Sequence, residues 1–430
     1  MSPEQSHALS HKIAIIGAGP AGLMAAQVLS DAGYAPTVFD AMPSAARKFL
    51  QAGRGGLNLT HAEDFSLFAS HYFEAQPYLQ PALEAFSPND MREWAESFGF
   101  KTFVGSSGKV YPLDKKAAPL LRAWLHQLKA NSTQFKMKHR WVGWSKGGSK
   151  SDTTDELQAD IWQFETPDGL KDYSFDAVIL ALGGASWPHL GSTGAWTMIL
   201  ADKGLKITPL KPANMGFNVA WSKVFKEKFS GSPLKNITLS FTDINGKAQS
   251  KLGELLVSQN GVEGSLIYTY SKYLRELFEQ QPPLTVTLDL FPHRSESQLI
   301  QQLSGKQGKQ SLSAFWKRFG LAGVKASLLR EVLAKELLTQ PELVAKTLKK
   351  FPLILESYRP IEEAISTAGG LAFTNLDSQL MLKDFPGVFC IGEMLDWEAP
   401  TGGYLLTGVM GQGKQAAEGL LKLLQKQPND

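Results

Sequence analysis

The sequence predicts an α/β fold in which one discontinuous nucleotide-binding domain is interrupted by an inserted antiparallel β unit and a small helical cap. Three observations predict it. A strand, glycine turn, helix and strand open the chain; a second strand-to-glycine turn lies near its end, around residue 392; between them the apolar spacing changes from alternation to helical repeats. The 430 residues are 43% apolar and 20% charged, a balance of folded proteins rather than disordered or collagen-like ones. The 39 glycines exceed the roughly 30 expected at an average usage of about 7%. A single cysteine, Cys390, excludes an internal disulfide and any multi-cysteine metal site, and predicts a reducing, cytoplasmic location. The polar first twelve residues lack a signal-peptide pattern, and the longest apolar run, Ile13 to Ser30, is broken by Gly17, Gly19, Pro20 and Gly22, so no membrane association is expected.

The first element is the most informative. Lys12 to Asp40 reads KIAIIGAGPAGLMAAQVLSDAGYAPTVFD. Ile13 to Ile16 predicts a buried strand, Gly22 to Ser30 a helix ended by Gly33, and Thr37 to Phe39 a second strand. In the turn Gly17-Ala18-Gly19-Pro20-Ala21-Gly22, the glycines allow a tight bend, close approach to a pyrophosphate and close helix–strand packing. The helix start offers unsatisfied N–H groups and a positive dipole end to phosphates. Asp40, followed by Ala41, ends the second strand 23 residues after Gly17, where a carboxylate can accept the hydroxyls of an adenosine ribose. Asp40 argues against a 2′-phosphate at this site; FAD and NAD both remain open on this motif alone.

Three further segments repeat the strand-to-glycine pattern. Ala46 to His61 reads ARKFLQAGRGGLNLTH; Asp176 to Thr193 reads DAVILALGGASWPHLGST; Gly387 to Gly403 reads GVFCIGEMLDWEAPTGG. In the last, a strand delivers Gly392 and Glu393 to a loop, and Thr401 to Tyr404 open a helix running toward Leu424. A helix start aimed at the pyrimidine edge of a flavin would stabilise the anion of its reduced form.

Together these segments resemble the HI0933-like family, also called BaiN-like or YhiN-like, of NAD(P)/FAD-dependent oxidoreductase flavoproteins. The resemblance implies a Rossmann-like FAD-binding domain of the two-dinucleotide type. The family's KKxxxSGGGRCNxTN loop is matched by Lys48, Gly53, Arg54, Gly55, Gly56, Asn58 and Thr60; Leu57 replaces its cysteine, excluding thiol chemistry there, and His61 replaces its final asparagine. Ala181, Leu182, Gly183 and Gly184 fall on the segment that passes near FAD in such proteins, and Val142 on one that touches the adenine. Gly392, Glu393, Asp396, Gly402, Gly403 and Tyr404 match the segment at the flavin end. His61 and His189 sit inside these loops and are expected to act as loop hydrogen-bonders.

The expected domains are 1–206 with 360–430 for FAD, 207–294 for a barrel-like β unit and 295–359 for the helical cap. ITLSF and LTVTL, from Ile237 and Leu284, alternate as strands do, and Leu299, Leu303, Leu328, Leu329, Val332, Leu333 and Leu337 follow helical spacing. Residues 301–350 hold ten Lys and Arg against three acids, a local +7 that leaves −4 elsewhere under a total of +3. Such a segment can face RNA, although a solvated helical surface explains it as well. No histidine forms a metal-type pair with a carboxylate, so no metal is expected. The resemblance implies FAD-based hydride transfer to an activated C=C bond, or oxidation of a small amine, on a small-molecule substrate, with NADH or NADPH as a transient reductant. Two alternatives accompany it: reduction of uridine to dihydrouridine in RNA recruited by the basic segment, and a non-catalytic flavin-binding module. No side chain identifies itself as a catalytic acid or base.

Overall fold

The computed structural model describes residues 11–145, 160–305 and 310–426. The chain forms two compact units, one of residues 1–211 with 366–430 and one of 212–365.

The first unit is built on a five-stranded parallel sheet in the order Val388–Cys390, Ala177–Leu180, Ile13–Ile16, Thr37–Asp40, Gln134–Met137. Ile13–Ile16, Ala177–Leu180 and Val388–Cys390 are buried at every position, the continuous apolar reading of strands covered on both faces. The discontinuity follows directly, because a strand from the end of the chain pairs with one from its first half. The first helix, Pro20–Asp31, starts two residues before the apolar pattern suggested. Pro20 lacks the N–H that a first helical turn leaves unpaired, so it fits there without loss. The long C-terminal helix Tyr404–Lys426 packs against it. Trp141, Trp144 and Trp162 lie on a small antiparallel sheet, buried and in mutual ring contact, with Trp144 and Trp162 centroids 4.7 Å apart. A second small sheet joins Thr60–His61, Lys109–Pro112 and Thr102–Val104.

The second unit carries a seven-stranded antiparallel sheet in the order 351–355, 284–289, 233–242, 248–257, 261–263, 217–218, 357–358. Its two edge strands are separated in sequence by Glu356 alone. A chain rises at most about 3.5 Å per residue, so the edges lie close together and the sheet curls into a barrel-like form. The expected line at 294/295 is internal to this unit. Leu299, Leu303, Trp316, Leu329, Val344 and Leu348 from the helical stretch share one core with Leu239, Leu255, Val286 and Leu353 from the strands. Helical spacing alone could not show this, because Phe351–Leu355 returns to the sheet only after the helices are complete. No helix among the described residues is long and apolar enough to cross a membrane.

Candidate cofactor and active site

The site lies in the first unit at the carboxyl ends of the parallel strands. Gly17 follows Ile13–Ile16 with φ +115°, and its N–H donates to the Phe39 carbonyl at 2.8 Å. A Cβ on Gly17 would lie 2.1 Å from the Ala181 carbonyl oxygen, and one on Gly22 would lie 2.0 Å from that of Gly17. Two expected site segments, the first glycine turn and the strand end at Ala181, are therefore in backbone contact. Gly19 caps the helix without a side-chain bond and has open space at its Cβ position. The helix start thus keeps its unpaired N–H groups for an anion, as phosphate-binding turns require.

Asp40 has a task the sequence reading missed. Its carboxylate accepts the N–H of Ala18 and of Met42, both at 2.7 Å, tying the glycine turn to the second strand. Burial raises its pKa, against the lowering effect of those two N–H bonds and of Arg140 and Arg47. Each oxygen retains a lone pair for a ribose hydroxyl. Among the described residues the neighbouring Ala41 makes no such bond.

The loop after the second strand forms a helix, Arg47–Ala52, a 3-10 turn, Gly53–Gly55, and the short strand Thr60–His61. The Ala46 N–H anchors it to the Ala18 carbonyl at 2.8 Å. Gly53 sits against Ala117, and Gly56 has φ +108°. The side chain of Arg54 lies outside the described residues. At the far end, a Cβ on Gly403 would fall 2.4 Å from the Thr60 Cα, and Thr407 Oγ1 donates to the buried Thr60 Oγ1 at 2.9 Å. Residues 60 and 403 are thus in direct contact.

Four segments meet at Lys48. Its Nζ donates to Ser186 Oγ at 2.9 Å and to Glu393 Oε2 at 2.8 Å. Glu393 Oε1 accepts the N–H of Thr367 at 3.0 Å, and Thr367 Oγ1 accepts the N–H groups of Ala185 and Ser186 at 2.9 and 3.2 Å. Thr367, in the buried strand Ser366–Leu371, was not singled out in the sequence, although the pair Gly369 and Gly370 that follows it was a signal that could have drawn attention there. Gly184 presses on it so closely that a Cβ would lie 2.3 Å from Thr367 Oγ1. Lys48 and Glu393 are 24% and 14% exposed, so this ion pair is shielded but open on one side. An ammonium has three donors; among the described residues two are used, leaving one N–H for an incoming oxygen.

Tyr404 belongs to a second cluster. Its hydroxyl donates to Glu63 Oε1 at 2.7 Å, the same oxygen that lies 3.5 Å from His61 Nδ1 and 3.3 Å from His71 Nε2. Its ring stacks on that of His61, with centroids 5.7 Å apart at 21°, and meets those of His71 and Phe68 at tilts of 42° and 44°. Burial, then the Glu63 carboxylate, push the Tyr404 phenol far above its ordinary value. His61 also meets the Ser107 carbonyl at 2.9 Å, in the turn between Thr102–Val104 and Lys109–Pro112, outside the cofactor loops. Around this cluster His61, Glu63, Phe65, Ser87, Asn89 and Arg92 line a cleft of about 410 Å³.

The other expected residues have more local roles. Asp396 accepts the Thr208 hydroxyl at 2.6 Å. Gly392 donates to Gln412 Oε1 at 2.9 Å, and Gly183 accepts the Trp196 indole N–H at 2.9 Å. Leu182 is half-buried, His189 is exposed on a 3-10 turn, and Val142 is the residue the Arg140–Ser145 strand skips in its pairing.

These residues fit FAD. The glycine turn gives a pyrophosphate backbone N–H groups, Asp40 offers acceptors at the ribose position, and Asn58 Oδ1 is buried with no hydrogen-bond partner among the described residues. A buried acceptor without a donor costs about 1–3 kcal/mol, and a flavin ring N–H is the kind of donor that would relieve it. Among the described residues no cluster of metal-ligating side chains is present.

The comparisons with known proteins agree with this geometry. A ribosomal RNA dihydrouridine synthase of Haemophilus influenzae is 25% identical over 406 residues, covering 91% of this chain and 93% of the relative. A 3-dehydro-bile acid delta(4,6)-reductase of Clostridium scindens is 24% identical over 429 residues, covering 95% and 99%. The fold is that of the 3-ketosteroid delta1-dehydrogenase from Sterolibacterium denitrificans, with a TM-score of 0.52 at 12% identity, covering 96% of this chain and 99% of that one. The family profile of the HI0933-like protein Rossmann domain matches residues 11–419. With four cofactor segments meeting in one unit and that profile spanning nearly the whole sequence, the chain belongs to the HI0933-like family of FAD-dependent oxidoreductases.

Proposed function

We propose that this protein reduces a carbon–carbon double bond conjugated to a carbonyl, with NADH or NADPH as electron source, in the cytoplasm. The observation that carries this reading is the meeting of the cofactor loops on Lys48. A half-shielded cation with one N–H uncommitted among the described residues stands among the groups that would hold the flavin, and no thiol accompanies it, since the one cysteine is buried in the sheet. Bound FAD supplies hydride chemistry. The protein's part is to hold the cofactor, exclude water and place a positive charge where an oxygen of a conjugated carbonyl gains electron density. Glu393 and Ser186 fix the Lys48 ammonium in place, and Thr367 fixes Glu393. Two relatives support the same chemistry. A dihydrouridine product arises by saturating the C5=C6 bond of uracil, which is conjugated to a carbonyl, and the bile acid reductase acts on an unsaturated 3-oxo steroid acid.

RNA as the carrier of that bond draws less support from this chain. Lys306 and Lys309 lie outside the described residues. Lys325 Nζ bonds the carbonyl of Leu290 at 2.6 Å, Arg330 bonds Ala326 and Ser313, and Lys349 pairs with Asp289 at 2.6 Å while bonding two carbonyls. Lys325, expected to lie on the basic face, is thus a structural cation, and burial lowers its pKa. The local +7 overstates the charge offered to a phosphate backbone.

The test is product analysis. Holoprotein is incubated anaerobically with NADH or NADPH and, separately, an unsaturated 3-oxo steroid or a uridine-rich RNA fragment, and in parallel, in air without either nucleotide, with a small secondary amine whose electrons pass through the flavin to oxygen. The steroid product should gain two hydrogens. Oxidation of the amine with no gain by either unsaturated substrate would overturn the reading, and gain by the RNA alone would move the substrate to nucleic acid.

A further inference from the structure

Saturating a C=C bond consumes two electrons and two protons. A dihydronicotinamide provides one hydride as it becomes a nicotinamide, and water provides the remaining proton. The parallel sheet has one glycine phosphate turn among its described residues, and FAD claims it. If the proposed reduction holds, the second dinucleotide must be recruited by other means.

We infer that the hairpin Thr102–Val104 and Lys109–Pro112 is the docking platform for the adenosine-phosphate half of that nicotinamide dinucleotide. Register pairs Phe103 with Tyr111 across the hairpin and Lys109 with His61 on the adjoining strand. Side chains alternate along a strand, so Lys101, Phe103, Lys109 and Tyr111 share one face, while Val110 and Pro112 on the other are buried. The Phe103 and Tyr111 rings lie 5.8 Å apart at 29°, an aromatic shelf about the width of one purine, and both are half-buried rather than sunk in the core. Lys115 reaches over this shelf, its Nζ 5.5 Å from one ring and 5.8 Å from the other. Residues 101–116 hold four lysines and one acid, Asp114, and Lys101, Lys115 and Lys116 are exposed. An aromatic shelf ringed by cations is what an adenine carrying phosphates requires: the base stacks on the rings, and phosphate oxygens accept charge-assisted hydrogen bonds.

Position selects the occupant. The shelf adjoins the cofactor loop: Tyr111 Cε1 and Lys115 Cβ lie 3.7 Å from where a Gly56 Cβ would sit, and the Leu57 N–H donates to the Lys115 carbonyl at 2.9 Å. Thr60–His61, the end of that loop, is the third strand of the same sheet. A reductant must approach the flavin that this loop is assigned to hold. A two-ring shelf also matches one nucleotide better than a continuous strand, which would call for a longer row of stacking positions.

The experiment compares wild-type holoprotein with the double variant Lys101→Glu/Lys115→Glu and with Phe103→Leu. Calorimetry with adenosine 2′,5′-bisphosphate reads the platform without any redox step, and anaerobic stopped-flow reads flavin bleaching by NADPH. The double variant should weaken bisphosphate binding and raise the half-saturating NADPH concentration about tenfold, the effect of about 1.4 kcal/mol. Phe103→Leu, which keeps the charge, should weaken both about threefold. FAD content and the limiting bleaching rate should stay within twofold of wild type. Bisphosphate binding unchanged in the double variant, no bisphosphate binding by wild type, or oligouridylate binding that the double variant loses while bisphosphate never binds would each overturn the assignment. If no C=C substrate is reduced yet bisphosphate binding follows the expected pattern, the proposed reaction falls and the platform stands.

Discussion

Lysines in the two units are used in opposite ways, and the difference separates a site from a scaffold. In the first unit, Lys48 joins residues 138 and 345 positions away in sequence, at the edge of a half-shielded space, and keeps a donor uncommitted. In the second, Lys325 and Lys349 are capped by backbone carbonyls and close off loops beside Phe291. Both kinds count equally in a charge total. A site is therefore marked by cations that converge from distant segments, and local charge density alone gives no such mark.

The largest effect that would sharpen this contrast falls on the backbone that lets the segments converge. Gly17→Ala would place a Cβ 2.1 Å from the Ala181 carbonyl at φ +115°. It should destabilise the first unit by about 3–5 kcal/mol and abolish FAD retention, read as the flavin-to-protein absorbance ratio and the melting temperature. Gly320→Ala in the second unit has open space at its Cβ position and should cost only the φ strain, about 1 kcal/mol, with FAD content unchanged. Equal flavin loss from both would break the comparison.

Lys48→Met comes next. It strands the Glu393 carboxylate in a half-shielded place and should cost about 2 kcal/mol, with weaker FAD binding by titration of apoprotein. Lys325→Met, which removes bonds to two carbonyls and the contact with the Phe291 ring, should cost about 1 kcal/mol and leave FAD binding as it was.

The tyrosines extend the comparison to pH. Tyr404 in the first unit and Tyr268 in the second are both raised chiefly by burial, Tyr268 to about 12. A phenol whose folded pKa exceeds its unfolded value of about 10 gives stability that is fully present below about pH 10 and lost as pH rises through the folded value. Chemical denaturation should therefore show stability falling between about pH 10 and 12. Tyr404→Phe should cost about 1 kcal/mol at neutral pH through loss of the Glu63 bond and flatten part of that fall. An alkaline profile identical to wild type would contradict the Tyr404–Glu63 assignment. The smallest effect is expected for Lys317→Glu with Arg318→Glu, within about 0.5 kcal/mol in stability.

The parts legible in the sequence were those where local chemistry forces a residue type. The glycine turn after Ile13–Ile16, the acid at Asp40 and the late glycine pair all announced themselves because backbone must approach backbone or phosphate there. Thr367 did not, since a threonine in a buried strand looks like any other and its role comes from Gly184, Glu393 and Lys48 arriving from elsewhere. Glu63 and His71 were silent for the same reason, acquiring meaning only when Tyr404 arrives beside them and donates to the Glu63 oxygen that His71 also meets. The shared core of the second unit was hidden because alternation and helical spacing report elements, and whether Leu299 and Leu239 pack together depends on contacts between them. The platform at Phe103 and Tyr111 needed strand register, which no spacing in one strand reveals.

In the proposed reaction the flavin held around Lys48 passes its electrons to a conjugated C=C bond. The most direct test reduces the bound flavin anaerobically, removes excess reductant and mixes the protein with an unsaturated 3-oxo steroid or, in parallel, its saturated counterpart. The visible flavin band should return with the unsaturated compound only, and more slowly in Lys48→Met. A flavin that stays bleached with the conjugated substrate, or recovers equally with the saturated one, would contradict it.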